Sequence, residues 1–192
     1  MSRSSVSVRW LAALAAPLCM SLSSPALAQK VKLDTSLGGV VIELDAARAP
    51  KTVANFLSYV NAGHYDGTVF HRVIPGFMVQ GGGMDAQMQE RSTKAPIALE
   101  SRNGLGNARG SVAMARTAAP DSATAQFFVN LKDNSFLDAA NARDGNGYAV
   151  FGKVISGMDV VDKIAAVPTD SKGPHQNVPV KPVLIDKASV EK

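Results

Sequence analysis

The residues best suited to chemistry lie in one segment, Phe70 to Gly83, with the sequence FHRVIPGFMVQGGG. It combines an arginine, a histidine and a glutamine with apolar side chains and glycines. It contains no Ser, Cys, Asp, Glu or Lys. Covalent catalysis needs a nucleophilic side chain. The segment therefore raises the question of which reaction can proceed without a nucleophile or a carboxylate.

Three familiar kinds of site find little support in the sequence. The histidines, His64, His71 and His175, form no H-x-x-x-H pair, so packing or loop positions are favoured over metal binding. The run Gly81–Gly83 is followed by Met-Asp and not by Lys-Ser or Lys-Thr, so it matches no phosphate-binding loop. No G-x-S-x-G motif is present, and Ser111 lies at a predicted strand start. We expect no metal, no cofactor and no nucleophilic catalysis.

Arg72 remains, as a permanent cation on a predicted strand among apolar and aromatic residues. The alternative role for it is a surface ion pair, with its apolar neighbours in the core. We predict that Phe70 belongs to the core. Phe77 and Met78 follow a Pro75-Gly76 turn, and either the core or an outward-facing groove is open to them.

The N-terminus has the features of a secretory signal. Two arginines precede the apolar run WLAALAAPLCMSL, and Ala26-Leu27-Ala28 forms an A-x-A cleavage signal. The apolar run is shorter than the roughly 20 residues that span a bilayer, so a retained anchor is the less favoured alternative. We predict that residues 1–28 are cleaved and that 29–192 form one mature domain.

Cleavage would change the composition in ways that exclude several functions. Cys19 and Trp10, the only residues of their types, would be lost, so the mature domain has no disulfide and no thiol chemistry. The net charge of +4 would fall to 18 basic against 16 acidic residues, without a Lys/Arg cluster. We therefore expect no nucleic-acid partner and no membrane association after cleavage.

Short strands with frequent turn signals dominate the rest of the chain. Two strands are predicted around a Gly38-Gly39 turn, with Val40, Ile42 and Leu44 on one face. A helix is predicted to begin at Pro50 and end at Gly63. A second helix is predicted over Met158–Val167, and further short apolar runs lie at Ile97–Leu99, Ser111–Ala115, Phe127–Leu131, Tyr148–Val154 and Val183–Ile185. Many short strands with two helices predict an all-β barrel or sandwich.

Four segments together resemble the cyclophilin family of peptidyl-prolyl cis-trans isomerases: FHRVIPGFMVQGG, GSVAMA, SATAQFFV and FLD…GYAVFGKVISGMDVVDKI. The resemblance runs from about Val31 to Ile185, in family order and spacing. It implies an eight-stranded antiparallel barrel capped by two α-helices. With the signal peptide, the segment AMARTA resembles the periplasmic bacterial branch. The implied substrates are unfolded or extended Pro-containing polypeptides, and nothing in the sequence demands a partner chain, so we expect a monomer.

The resemblance also assigns roles to particular residues. It implies that Arg72 is catalytic, with His71 beside it in a supporting role. It further implies a proline pocket whose walls are Phe77, Met78, Phe128 and Leu137. Gln80 would hold Arg72 or the substrate backbone. The rest of the peptide would be contacted by Ala115, Arg116 and Gln126.

Three positions depart from the pattern of many family members. Arg116 stands in place of Asn, which puts the recognition of the substrate backbone in question. Phe136 stands in place of the Trp of cyclosporin-sensitive members, so weak cyclosporin binding is expected. Tyr148 stands in place of His and changes one wall of the pocket. A different class of function, a chaperone that holds Pro-containing segments without isomerising them, would have no need of Arg72.

Overall fold

The computed structural model describes residues 29–191, and the predicted signal peptide, residues 1–28, lies outside the described residues. Eight strands form the barrel, two more form a hairpin, and two helices pack against the barrel. The barrel strands are β1 (Lys30–Thr35), β2 (Gly38–Leu44), β3 (Thr68–Ile74), β4 (Met78–Asp85), β5 (Ser111–Met114), β6 (Phe127–Asn130), β7 (Val150–Ser156) and β10 (Leu184–Glu191). The hairpin strands are β8 (Thr169–Lys172) and β9 (His175–Pro179), and the helices are α1 (Pro50–Asn61) and α2 (Met158–Ala165).

The eight strands close in the order β1-β10-β3-β4-β6-β5-β7-β2, and every pair is antiparallel. The predicted fold class, a mainly-β barrel of eight antiparallel strands with two helices, is therefore confirmed. No helix among residues 29–191 is long and apolar enough to cross a membrane.

Side-chain alternation along the strands produces two separate apolar clusters. Neighbouring residues of a strand point to opposite faces of the sheet. Phe127 therefore packs in the barrel core, whereas Phe128 packs in a smaller cluster on the other face. Likewise, Val79 packs in the barrel core and Met78 packs in the smaller cluster. Phe70 lies in the core, as predicted, at 2% exposure.

The first helix begins at Pro50, as predicted. Proline lacks a backbone N–H, and in the first turn of a helix that N–H would have no partner within the helix. Its apolar stripe, including Phe56, packs into the barrel core. The side chain that satisfies its N-terminus comes from a distant loop: the Glu100 carboxylate accepts bonds from the backbone N–H groups of Lys51 (3.1 Å) and Thr52 (2.8 Å). A carboxylate at this end also interacts favourably with the helix dipole.

Three local predictions need correction. The first turn consists of Ser36 and Leu37, because Gly38 and Gly39 already pair with β1. The run Ile97–Leu99 forms no strand, and its ladder contact is a single bridge from Ile97 to Ala123. The second helix ends at Ala165, two residues before the predicted end.

The β8–β9 hairpin was not predicted. Asp170, Ser171 and Lys172 are exposed and polar, so this segment has none of the apolar alternation that marks a strand. Strand β9 packs along β3, which carries Arg72. The hairpin therefore covers part of β3, whose ladder with β10 is limited to two residue pairs.

Candidate active site

A row of paired residues crosses the sheet and sets the geometry of the site. In the strand register, Arg72 of β3 pairs with Gln80 of β4, Gln80 pairs with Phe128 of β6, and Phe128 pairs with Ala113 of β5. Residues in register on adjacent strands have Cβ atoms about 5 Å apart, so their side chains are neighbours. The register thus places the arginine, the glutamine and the phenylalanine side by side.

A cavity of about 240 Å³ opens over this row. Met78 and Phe128 are buried in its floor, and the edge of the Phe128 ring meets Tyr148 at a centroid distance of 5.6 Å. Nine of the twelve residues that the sequence analysis named line this cavity: Arg72, Phe77, Met78, Gln80, Ala115, Arg116, Phe128, Leu137 and Tyr148.

The other three named residues lie close to the cavity. Phe136 is 53% exposed and stacks on Phe77 at a centroid distance of 5.7 Å. It lines an adjoining cavity of about 450 Å³, which shares Leu137 and Tyr148 with the first. Gln126 contacts Gln80, and His71 is the neighbour of Arg72 in the chain.

The guanidinium of Arg72 is held by neutral groups. Its Nη1 donates to Oε1 of Gln80 at 3.3 Å and lies 4.0 Å from the sulfur of Met78. None of the ion pairs among residues 29–191 includes Arg72. The alternative role considered for Arg72, a surface ion pair, is therefore not observed. A half-buried arginine whose charge is not neutralised retains N–H groups for a ligand.

His71 lies beside this arginine but does not add a charge at neutral pH. Its side chain is buried, with 6% exposure, and Nδ1 has no hydrogen-bond partner among the described residues. Burial lowers the pKa of His71 to about 4, because the apolar surroundings disfavour the imidazolium form. The imidazole is therefore neutral at pH 7.

Arg116 lines the cavity, but its guanidinium is engaged in bracing a loop. Its Nε donates to the carbonyl of Gly147 at 2.8 Å, Nη2 bonds Asp144, and the guanidinium lies 4.7 Å from the Tyr148 ring centroid. The Arg116 side chain is 2% exposed. Its hydrogen bond holds the pKa of Asp144 at about 2. Arg116 thus fixes Tyr148, a wall of the cavity, instead of offering its charge to a ligand.

The backbone of Ala115 is also partly engaged, because its N–H donates to the carbonyl of Gln126 at 2.9 Å. The backbone group of Ala115 that remains for a peptide ligand is its carbonyl. A peptide can therefore pair with the Ala115 backbone only by donating a hydrogen bond to this carbonyl, whereas the sequence predicted pairing without this restriction.

A buried asparagine network supports the wall formed by Phe77 and was missed by the sequence analysis. Nδ2 of Asn134 donates to the Phe77 carbonyl at 2.9 Å and to Oδ1 of Asn130 at 2.8 Å. Asn130 in turn donates to the Ser111 hydroxyl at 2.8 Å. The sequence offered no clear signal for it, because Lys132 and Asp133 stand between the two asparagines and make the segment read as a polar turn.

A larger cavity, of about 750 Å³, lies near the loop between β2 and α1, and its chemistry is less specific. The charges around it are mostly paired, Lys153 with Glu43 at 3.1 Å and Arg48 with Asp45 at 3.6 Å. No group of three or more metal-ligating side chains occurs within residues 29–191. The smaller cavity remains the candidate site because an unpaired arginine and an apolar floor meet there.

The fold and the site together define a class, a closed eight-stranded β-barrel with a fixed arginine beside an apolar cavity. The family model for cyclophilin-type peptidyl-prolyl cis-trans isomerases matches residues 30–190. The chain therefore belongs to the cyclophilin-type peptidyl-prolyl cis-trans isomerase family.

Individual relatives agree with this assignment. The chain is 51% identical over 191 residues to peptidyl-prolyl cis-trans isomerase A of Dickeya dadantii, covering 97% of this chain and 100% of the relative. It is 52% identical over 161 residues to isomerase B of Escherichia coli, covering 83% and 98%. A crystal structure of a cyclophilin-type isomerase from Cryptosporidium parvum superposes with a TM-score of 0.71 at 25% identity, covering 86% of this chain and 99% of the other.

Proposed function

We propose that this protein catalyses rotation about X–Pro peptide bonds in unfolded or extended polypeptides, and so assists the folding of exported proteins. The observation that carries the proposal is Arg72, held by Gln80 at the edge of an apolar cavity without an acidic partner among the described residues. Such rotation breaks no covalent bond, which is why a site without a nucleophile suffices.

The barrier to rotation is amide resonance, about 18–20 kcal/mol, and the uncatalysed exchange at proline takes tens to hundreds of seconds. In the twisted transition state the nitrogen lone pair leaves conjugation and can accept a hydrogen bond. The Arg72 guanidinium donates to it there, and has much less to donate to in the planar ground state. This difference lowers the barrier, since only interactions that are stronger in the transition state accelerate a reaction.

The apolar cavity supplies the other half of the mechanism. The proline ring occupies the floor formed by Met78 and Phe128, with Phe77 and Leu137 as walls, and excludes water from the bond that rotates. The Ala115 carbonyl and the Gln126 side chain contact the chain before the proline. Holding the peptide on both sides of one bond makes the rotation effectively unimolecular.

The test of this function is isomerisation of a short Ala-Pro peptide by the chain 29–192, with peptide affinity followed in parallel. Acceleration that saturates with peptide concentration supports the proposal. Binding without acceleration would instead identify a chaperone that holds proline segments.

We further propose that the protein acts in the periplasm, as a monomer, after removal of residues 1–28. The support is the pattern of charge, apolar run and A-x-A signal in the sequence. The full chain expressed in a Gram-negative host is expected to appear in the periplasmic fraction with Gln29 as its first residue. A cytoplasmic protein that retains its first 28 residues would contradict this.

Cyclosporin affinity tests the assignment of Phe136. Because Phe136 is 53% exposed and stacked on Phe77, a larger indole at this position meets open space and adds an N–H donor. Phe136→Trp is expected to tighten cyclosporin binding at least tenfold, about the effect of one well-placed hydrogen bond with its added contact area. Titration calorimetry on both forms measures this, and an unchanged Kd would place the ligand elsewhere.

A further inference from the structure

The last glycine of the run Gly81–Gly83 differs from the one before it. Gly82 has φ +84°, and a Cβ there would lie 2.7 Å from the Tyr65 ring, so its substitution would disturb the core. Gly83 does not have a left-handed φ. A Cβ at Gly83 would lie 2.6 Å from both Cδ and Nε2 of Gln126, and closer still to Cγ. The three nearest atoms therefore all belong to one flexible side chain of the candidate active site.

The position of that side chain determines how Gln80 is oriented. Oε1 of Gln126 accepts a bond from Nε2 of Gln80 at 2.9 Å. With its amide nitrogen engaged in this way, Gln80 turns its Oε1 toward Arg72, where Nη1 donates at 3.3 Å. A glutamine amide reversed by 180° would present donors to the guanidinium, which has no acceptor for them. The bond that Gln80 donates to Gln126 is thus what makes Gln80 a suitable partner for Arg72.

We propose that Gly83 is a positioning residue for catalysis: the missing side chain leaves the space in which Gln126 lies across β4, and Gln126 then orients Gln80 toward Arg72. This inference deepens the proposed isomerase function and rests on it. It also gives a role to a glycine run that matches no phosphate-binding motif. Gly83 touches no substrate, and its effect passes entirely through the Gln126 side chain.

The experiment is a double-mutant cycle on peptide isomerisation with Gly83→Ala, Gln126→Ala and the two combined. Gly83→Ala is expected to lower kcat about three- to tenfold, the effect of losing one neutral hydrogen bond. It is expected to lower peptide affinity no more than Gln126→Ala does, because both substitutions disturb the same contact to the chain before the proline. Gln126→Ala is expected to cause a loss in kcat of the same order. In the Gln126→Ala background, Gly83→Ala is expected to have no further effect on kcat, because the clash partner is already gone.

A matched control is Gly39→Ala on β2, remote from the site. Gly39 also lacks a left-handed φ, and its new methyl group would meet side-chain atoms of Lys32 and Asp34 at 3.5 and 3.8 Å. This variant is expected to keep wild-type kcat. Its retention of activity would show that adding a methyl group to a barrel strand is not harmful in itself.

Two results would overturn the inference: wild-type kcat in Gly83→Ala, or losses that multiply in the double variant. The second result would also reveal a folding defect. A loss of kcat caused by misfolding persists when Gln126 is truncated, whereas a loss transmitted by the Gln126 side chain disappears. If the wild type itself fails to accelerate isomerisation, the proposed function fails separately. The Gly83 inference is then judged on the side-chain amide NMR signals of Gln80, which are expected to shift in Gly83→Ala and whose constancy would refute it.

Discussion

Replacement of Arg72 by alanine is expected to lower kcat/KM for peptide isomerisation by about 100-fold or more, while peptide affinity stays within a few-fold of the wild type. A hydrogen bond from a charged donor contributes about 1.5–3 kcal/mol, and removal of one transition-state donor in other enzymes costs about 10²–10³ in kcat. The loss falls on kcat because Arg72 acts mainly on the twisted state, whereas the apolar cavity binds both isomers.

Arg72→Lys is expected to recover little of this activity. A lysine carries the charge on a flexible stem and lacks the rigid fork that Gln80 holds in place. Arg48→Ala serves as the matched control, because Arg48 is an exposed arginine on the β2–α1 loop, paired with Asp45. Stopped-flow isomerisation assays and peptide titrations on the three variants separate kcat from binding. Activity of Arg72→Ala within threefold of wild type would remove Arg72 from the mechanism.

Acid is expected to reduce the stability of the protein before it reduces the chemistry. The pKa of His71 is about 4 in the folded state because of burial, against an ordinary value near 6.5 in the unfolded chain. Between these values the unfolded state binds the proton and the folded state does not, so stability falls as pH falls. From pH 7 to pH 5 this one group should lower the free energy of unfolding by about 2 kcal/mol.

Urea unfolding at pH 7 and pH 5 measures this effect, with His71→Gln as the comparison. The glutamine does not titrate, so the variant is expected to lose less stability on acidification than the wild type. His64, whose pKa is also lowered by burial, contributes with the same sign in both proteins and cancels in the comparison. Equal acid sensitivity of the two proteins would show that His71 is not the titrating group.

Catalysis itself is expected to vary little between pH 6 and pH 9. The proposed mechanism needs no proton transfer, and His71 stays neutral throughout this range. Isomerisation rates of the folded enzyme across this range provide the measurement. A steep loss of kcat with an apparent pKa near 6.5 would instead place a histidine in the reaction.

The sequence by itself determined the fold class and predicted which residue is central to the candidate site. Alternating apolar residues such as Val40, Ile42 and Leu44 predict strands because each residue of a strand faces opposite to its neighbour. Pro50 predicts a helix start because φ is fixed and the missing N–H is not needed there. Arg72 emerged because the segment around it lacks other reactive groups, and nine of the twelve residues named from the sequence line one cavity.

The tertiary structure decided which polar groups meet. Asp144 lies 28 residues from Arg116, and Gln126 lies 46 residues from Gln80, yet each pair is hydrogen-bonded. The Gln80–Gln126 contact depends on the register of β4 and β6, since a shift of one residue reverses the face of every side chain. The Arg116–Asp144 contact joins two segments that lie outside the strands. The role inferred for Gly83 also depends on the tertiary structure, because only the folded chain brings the Gln126 side chain against Gly83 of β4. Local residue patterns encode strands, helices and reactive groups, whereas the orientation of Arg72 arises from pairings that only the closed barrel creates.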